Sequence, residues 1–335
     1  FETLTTDAAA AATAISGGVR TRNNYLAKDS VGKDLDTVLD LAVRMKKSIG
    51  LVTDLSVTGP SLAAFYASSF SRVEQNDLAY LLAHKVGLNV VFGGGMQYFI
   101  PKGKSTNELT RIPRLLGGSS RRTDRTNLWH LFSEKGYTAI SDVKGLDRIP
   151  KRSDRVVGVF TPAEFPYAID RTGQLKRALP DPIDLVERAF SIVSRNPRGY
   201  LLLIELGLLG YASHDNDIGS VIQELLVADQ VVKYLYDQIS SKKEQVSLLM
   251  VVSDQGTGSP SFSFKNTGVP KEQRITRALT YKPPFDYIPM SRLKKIGEQK
   301  SSFRSMLYRA KGKVQTLRKI IKADTGYTLP LSKLN

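Results

Sequence analysis

Five short runs of aliphatic and β-branched residues punctuate this chain, and they are apolar at successive positions rather than alternate ones: Gly50–Thr53, Leu88–Phe92, Arg155–Phe160, Tyr200–Ile204 and Val246–Val252. A strand with one wet face alternates, whereas a strand covered on both faces need not. Helical patterns lie between the runs, at Leu35–Lys47, Arg72–Val86, Asp184–Arg195 and Gly219–Ile239. In the last of these Val221, Leu225, Ala228, Val232, Leu235 and Ile239 recur at steps of three and four, which puts them on one helix face. Doubly buried strands alternating with helices predict an α/β fold, a doubly wound, mostly parallel sheet flanked by helices.

The rhythm breaks twice. Residues 101–127, with Pro101, Lys102, Gly103 and Lys104 and then Gly117 to Arg122, read as a surface excursion. Beyond Ser259 the alternation fades, and Pro270, Pro283, Pro284 and Pro289 interrupt the chain there. A basic amphipathic helix is predicted from about Ser302 to Ala323, with Phe303, Met306, Leu307, Val314, Leu317 and Ile321 as its apolar stripe and Gly312 as a kink point. The expected organisation is an α/β domain over 1–265 and an irregular, then basic helical, segment over 266–335.

The chain has no cysteine, which excludes disulfides, thiolate metal sites and a cysteine nucleophile. No apolar run approaches the length of a membrane span. The net charge of +16 is concentrated at one end: residues 291–335 hold twelve Lys and Arg against Glu298 and Asp324. The basic surface comprises Arg292, Lys294, Lys295, Arg304, Arg309, Lys311, Lys313, Arg318, Lys319 and Lys322. Such a segment is either a solvated helix face or a contact for an anionic partner: nucleic acid, an acidic protein or a lipid surface.

Five blocks in order resemble the alkaline phosphatases: Thr5–Lys28, Leu41–Phe65, Asn89–Phe99, Gly199–Asp217 and Leu248–Gly258. Together they cover roughly residues 3–265. The resemblance implies the alkaline phosphatase-like sandwich, here without its N-terminal strand and much of its C-terminal part. In that family a serine attacks phosphorus between a pair of zinc ions and a magnesium, and an arginine clamps the phosphate.

Carried over position by position, the resemblance implies an emptied reaction centre. Asp7 matches the residue before the serine, but the serine position is Ala8, whose methyl cannot accept a phosphoryl group. Glu205 stands where the family has a magnesium-ligating Glu, and His214 where it has a zinc-ligating His. The zinc-ligating Asp between them is Gly210. Asp254 is retained, but the zinc-ligating His after it is Gln255, a poor zinc ligand. Ser61 keeps the hydroxyl expected near magnesium, while the Asp or His two residues before it is Gly59. Arg72 falls at the clamping arginine.

No catalytic residue and no metal is therefore expected. The remnant pocket would comprise Asp7, Ser61, Arg72, Glu205, His214 and Asp254, without the family's zinc and magnesium. The reading is a non-enzymatic pseudophosphatase serving as a structural or binding subunit alongside other protein subunits. A residual metal-dependent phosphomonoesterase or phosphodiesterase is one alternative, and a polyanion-binding module working through the basic segment is another. Homodimerisation is the family habit. The family's export argues for an extracellular or secretory location, and the basicity fits a mitochondrial or other intracellular assembly equally. Arg72 could hold an anion or pair with Asp7 or Asp254. Asp215, Asn216 and Asp217 read more readily as a cap for the helix near Gly219 than as a calcium site.

Overall fold

The computed structural model describes residues 5–241, 247–254, 256, 273–274, 280–281 and 290–329. In chain order its elements are α1 (Ala8–Gly17), α2 (Val38–Arg44), β1 (Ser48–Ser56), α3 (Pro60–Tyr66), α4 (Gln75–His84), β2 (Leu88–Gly94), α5 (Thr106–Leu109), α6 (Leu128–Glu134), β3 (Thr138–Ile140), α7 (Val143–Asp147), β4 (Val156–Val159), α8 (Gly173–Ala178), α9 (Pro182–Val193), β5 (Tyr200–Glu205), α10 (Leu208–His214) and α11 (Ile218–Ser240). They are followed by a two-stranded antiparallel ribbon, β6 (Gln273–Arg274) with β7 (Thr280–Tyr281), and by α12 (Met290–Gly297), α13 (Phe303–Ala310) and α14 (Val314–Thr325).

The described residues cluster into two compact units. The first draws on residues 1–166, 171–208 and 226–256. Its centre is a five-stranded sheet in the order β3-β4-β2-β1-β5, parallel at every pairing. Four of the five apolar runs are its strands, and Ile49, Leu51, Val90, Val91, Phe92, Val156, Val157 and Val159 are buried. Helix α9 packs on β1, β2 and β5, and α1 on α3. Parallel pairing follows from strand–helix–strand crossovers, and it delivers the ends of β1 and β5 side by side, with Thr53 in register with Glu205.

The Gly93–Gly95 run at the end of β2 meets two separate requirements. A Cβ on Gly94 would lie 2.0 Å from the Ala163 carbonyl oxygen, so the backbones can approach only without one. Gly95 has φ +99°, in the left-handed region that favours glycine.

The fifth apolar run is a correction. Val246 lies outside the described residues, and 247–252 form no strand. Leu248, Met250, Val251 and Val252 are exposed rather than buried. Apolarity supplies strand propensity but not a hydrogen-bonding partner. Strand β3 is hidden in the sequence for the opposite reason, since three residues carry too little pattern.

The second unit draws on residues 167–170, 209–225 and 257–335. The long basic helix predicted here is two helices, α13 and α14. The chain turns between them at Lys311 and Gly312, with φ values of 49° and 72°. Ser302 caps α13 by accepting from the Ser305 amide, and its own hydroxyl and amide donate to Asp170 at 2.5 and 2.9 Å. Asp217 is fully buried and receives the Ser220 amide and hydroxyl, the Phe303 amide and the Gln299 side-chain amide. It is thus the cap of α11 expected from sequence. Asp215 instead pairs with Arg304. No described helix is long and apolar enough to cross a membrane.

Candidate functional site

Ala8 is the first residue of α1 and is buried. The preceding Asp7 has extended backbone, and its Oδ1 accepts from the Ala10 amide at 2.9 Å, the ordinary N-cap geometry. Its Oδ2 accepts from the Asn24 amide at 3.0 Å and from Arg72 Nη1 at 3.1 Å. Of the pairings open to Arg72, the chain makes the one with Asp7. The turn that carries Arg72 is held in place by Gln75, whose side-chain amide donates to the Arg72 carbonyl at 3.1 Å and whose oxygen accepts from the Thr58 hydroxyl.

A second cluster in the same unit gathers where β1 and β5 end. Thr53 Oγ1 donates to Glu205 Oε2 at 2.7 Å, and Ser61 Oγ donates to Asp254 Oδ2 at 2.9 Å. Burial pushes the Glu205 carboxyl up to about 7, the Thr53 and Ser61 hydroxyls hold it down, and the Asp254 charge raises it further. Gly59 caps α3, and a Cβ there would sit 2.9 Å from the Ser56 carbonyl oxygen and 3.9 Å from Glu205 Oε2. A carboxylate at position 59 would therefore crowd the backbone and face another acid.

The raised Glu205 pKa has a signed consequence. Its folded value lies above the ordinary 4.5, so the folded chain keeps a proton that the unfolded chain has released. The associated stability is present below about pH 4.5 and is lost as pH rises through about 7. Glu205→Gln is expected to stabilise metal-free protein at pH 8 by about 2–3 kcal/mol and to change little at pH 4.5. Urea titrations at the two pH values would read it. Equal effects at both would remove burial of the charge as the cause.

His214 ends α10 in the second unit, beside Asp215. A Cβ on Gly210 would meet nothing within 4 Å, so that position has room for a side chain. Gln255 lies outside the described residues, as does the side chain of Arg292. Among the described residues, no three His, Asp or Glu side chains form a group that could hold a metal ion. On the basic segment Lys294, Lys295, Lys311, Lys313, Lys319 and Lys322 are exposed. Two of the predicted surface cations are instead engaged within the unit: Arg304 with Asp215, and Arg309 with Asp324. Sequence alone could not distinguish paired from free arginines on an amphipathic helix.

Known proteins similar to this chain agree with one another. The family model described as alkaline phosphatase matches residues 2–319. Alkaline phosphatase 3 of Bacillus subtilis (strain 168) is 31% identical over 258 residues, covering 76% of this chain and 50% of that protein. The repressible alkaline phosphatase of Saccharomyces cerevisiae (strain ATCC 204508 / S288c) is 27% identical, covering 77% and 46%. The crystal structure of Thermus thermophilus alkaline phosphatase superposes with a TM-score of 0.77 at 27% identity, over 98% of this chain and 62% of that one. The chain thus spans about half the length of the curated relatives it matches.

Proposed function

Because this chain belongs to the alkaline phosphatase family, we propose that it retains the family scaffold as a non-catalytic binding or structural subunit. The observation that carries this reading is Ala8. It heads α1 at the position matching the family's serine, and the groups beside it, Asp7 and Arg72, are engaged with each other. A methyl offers no lone pair to phosphorus, and the Asp7 carboxylate oxygens are engaged by the Ala10 and Asn24 amides and by Arg72 rather than left as a replacement nucleophile.

The donor set points the same way. Zinc favours histidine, thiolate and carboxylate ligands about four at a time. On the family's pattern this chain offers His214 for one zinc and Asp254 for the other, with Gly210 and Gln255 at the remaining matched positions. These residues do not fit a two-zinc centre. The Thr53, Ser61, Glu205 and Asp254 oxygens would suit a hard cation such as Mg2+ better, and Mg2+ there would neutralise the two carboxylates and hold β1, β5 and Asp254 together. That oxygen cluster is the observation favouring the second reading, a residual metal-dependent phosphoesterase.

Metal analysis of the purified protein and a chromogenic phosphoester assay with added Zn2+ and Mg2+ separate the two. The expected outcome is substoichiometric zinc and no phosphate release above the uncatalysed background. Stoichiometric zinc, with turnover lost in His214→Ala, would overturn the non-catalytic reading.

A further inference from the structure

The second unit contains a cavity of about 440 Å3. Its apolar walls are Ile218 at the start of α11, Phe303, Met306 and Leu307 on α13, and Leu317 and Ile321 on α14. Amphipathic helices ordinarily bury such a stripe, yet Leu307 is 59% exposed and Phe303 37%. The volume falls in the range of small-molecule pockets, roughly 300–1,000 Å3.

The polar lining is sparse and largely satisfied. Gln299 Nε2 donates to Asp217 Oδ1 at 2.7 Å and to the Ser301 carbonyl at 2.8 Å. Thr325 Oγ1 donates to the Ile321 carbonyl at 2.7 Å. A ligand with a polar body would lose its water and find few partners in return.

Lys295 differs from these. It lines the cavity and is exposed, and its ammonium stands 4.7 Å from the centre of the Tyr327 ring. Among the described residues it forms no ion pair. Around it the segment is strongly basic, and of its two acids Asp324 is already paired with Arg309. The field at the mouth therefore favours an anion.

We propose that this cavity binds a single-chain anionic amphiphile, a long-chain carboxylate being the simplest, with its hydrocarbon between α11, α13 and α14 and its head group on Lys295. Each half of the ligand follows from a separate observation: the chain from the apolar walls, the charge from Lys295 and its neighbours. An acidic amphipathic helix from a partner protein matches the charge less economically, because such a helix brings several carboxylates, and Lys295 is the one charged residue among the described residues lining the cavity. The assignment does not depend on whether the chain hydrolyses phosphoesters.

The test uses the full chain and a fluorescent long-chain carboxylate, displaced by dodecanoate or by uncharged dodecanol. Saturable one-to-one binding is expected. Lys295→Gln, a change at an exposed residue, should weaken dodecanoate about tenfold and leave dodecanol unchanged, since it removes one charge-assisted contact. Ile321→Trp, which places a larger side chain in the apolar lining, should abolish both. Three results would overturn the proposal: no saturable binding at submillimolar dodecanoate, a Lys295→Gln effect equal for acid and alcohol, or binding that emerges only after residues 330–335 are deleted. The last would mean that this chain covers its own cavity.

Discussion

Ala8→Ser alone is expected to leave phosphoester turnover at background. Serine is compatible with the backbone there, since Ala8 is the first helical residue of α1. The helix terminus would favour negative charge there. A serine hydroxyl is nevertheless a weak nucleophile until a base or a metal lowers its pKa. Neither is supplied by Asp7, which caps α1 and binds Arg72. Catalytic groups that act as a unit fail together, and in a different hydrolase losing one member costs about as much as losing all, on the order of 10^6-fold. The same logic runs backwards: replacing one member recovers almost nothing. Adding Gly210→Asp and Gln255→His should raise zinc affinity before it raises turnover, because position 210 has open space for a carboxylate. Gly59→Asp should be poorly tolerated, with its Cβ 2.9 Å from the Ser56 carbonyl. A chromogenic assay across this series, with bound zinc measured in parallel, reads both quantities. Zinc-dependent turnover in the single Ala8→Ser variant would sink the idea, because it would mean that the rest of the centre had been intact.

Much of the fold was legible because burial on both faces writes itself into sequence. Gly50–Thr53 and Leu88–Phe92 sit in the middle of the sheet, where Leu51, Val52, Val90, Val91 and Phe92 are buried. Val246–Val252 has the same composition and forms no strand over its described part, because pairing is a property of two segments and sequence pattern describes one. The division of the basic helix was half legible: Gly312 marked the break, but the left-handed turn includes Lys311, which no propensity would nominate. The candidate residues could be named from resemblance, but which of them pair could not. That Arg72 would take Asp7 rather than Asp254, and that burial would push Glu205 to about 7, depend on distances between residues far apart in the chain. The cavity was invisible for the same reason, since its walls come from Ile218 and from residues 295–329.

Asp217→Ala is expected to destabilise the second unit by about 3–5 kcal/mol, the cost of breaking a buried, multiply bonded carboxylate. The Asp217 side chain is fully buried and accepts from the Phe303 amide at 2.6 Å, Gln299 Nε2 at 2.7 Å, the Ser220 hydroxyl at 3.0 Å and the Ser220 amide at 3.2 Å. One group therefore ties the start of α11 to the start of α13 and to Gln299, two residues after α12. Alanine would leave those donors without an acceptor away from water and open a small void as well. Asp217→Asn keeps one acceptor oxygen and should cost roughly half as much. Asp215 is the internal control, only two residues away on the same turn. Its carboxylate is 25% exposed and accepts from Arg304 and, at 2.8 Å, from the Tyr167 hydroxyl, so Asp215→Ala should cost about 1–2 kcal/mol, well below Asp217→Ala. Hydrogen exchange of α13 and α14 amides, read beside urea melts of the three variants, would show loss of protection in Asp217→Ala and near-normal protection in Asp215→Ala. If the two substitutions cost the same, the network at Asp217 is not what holds these helices, and their apolar stripe must carry the unit instead.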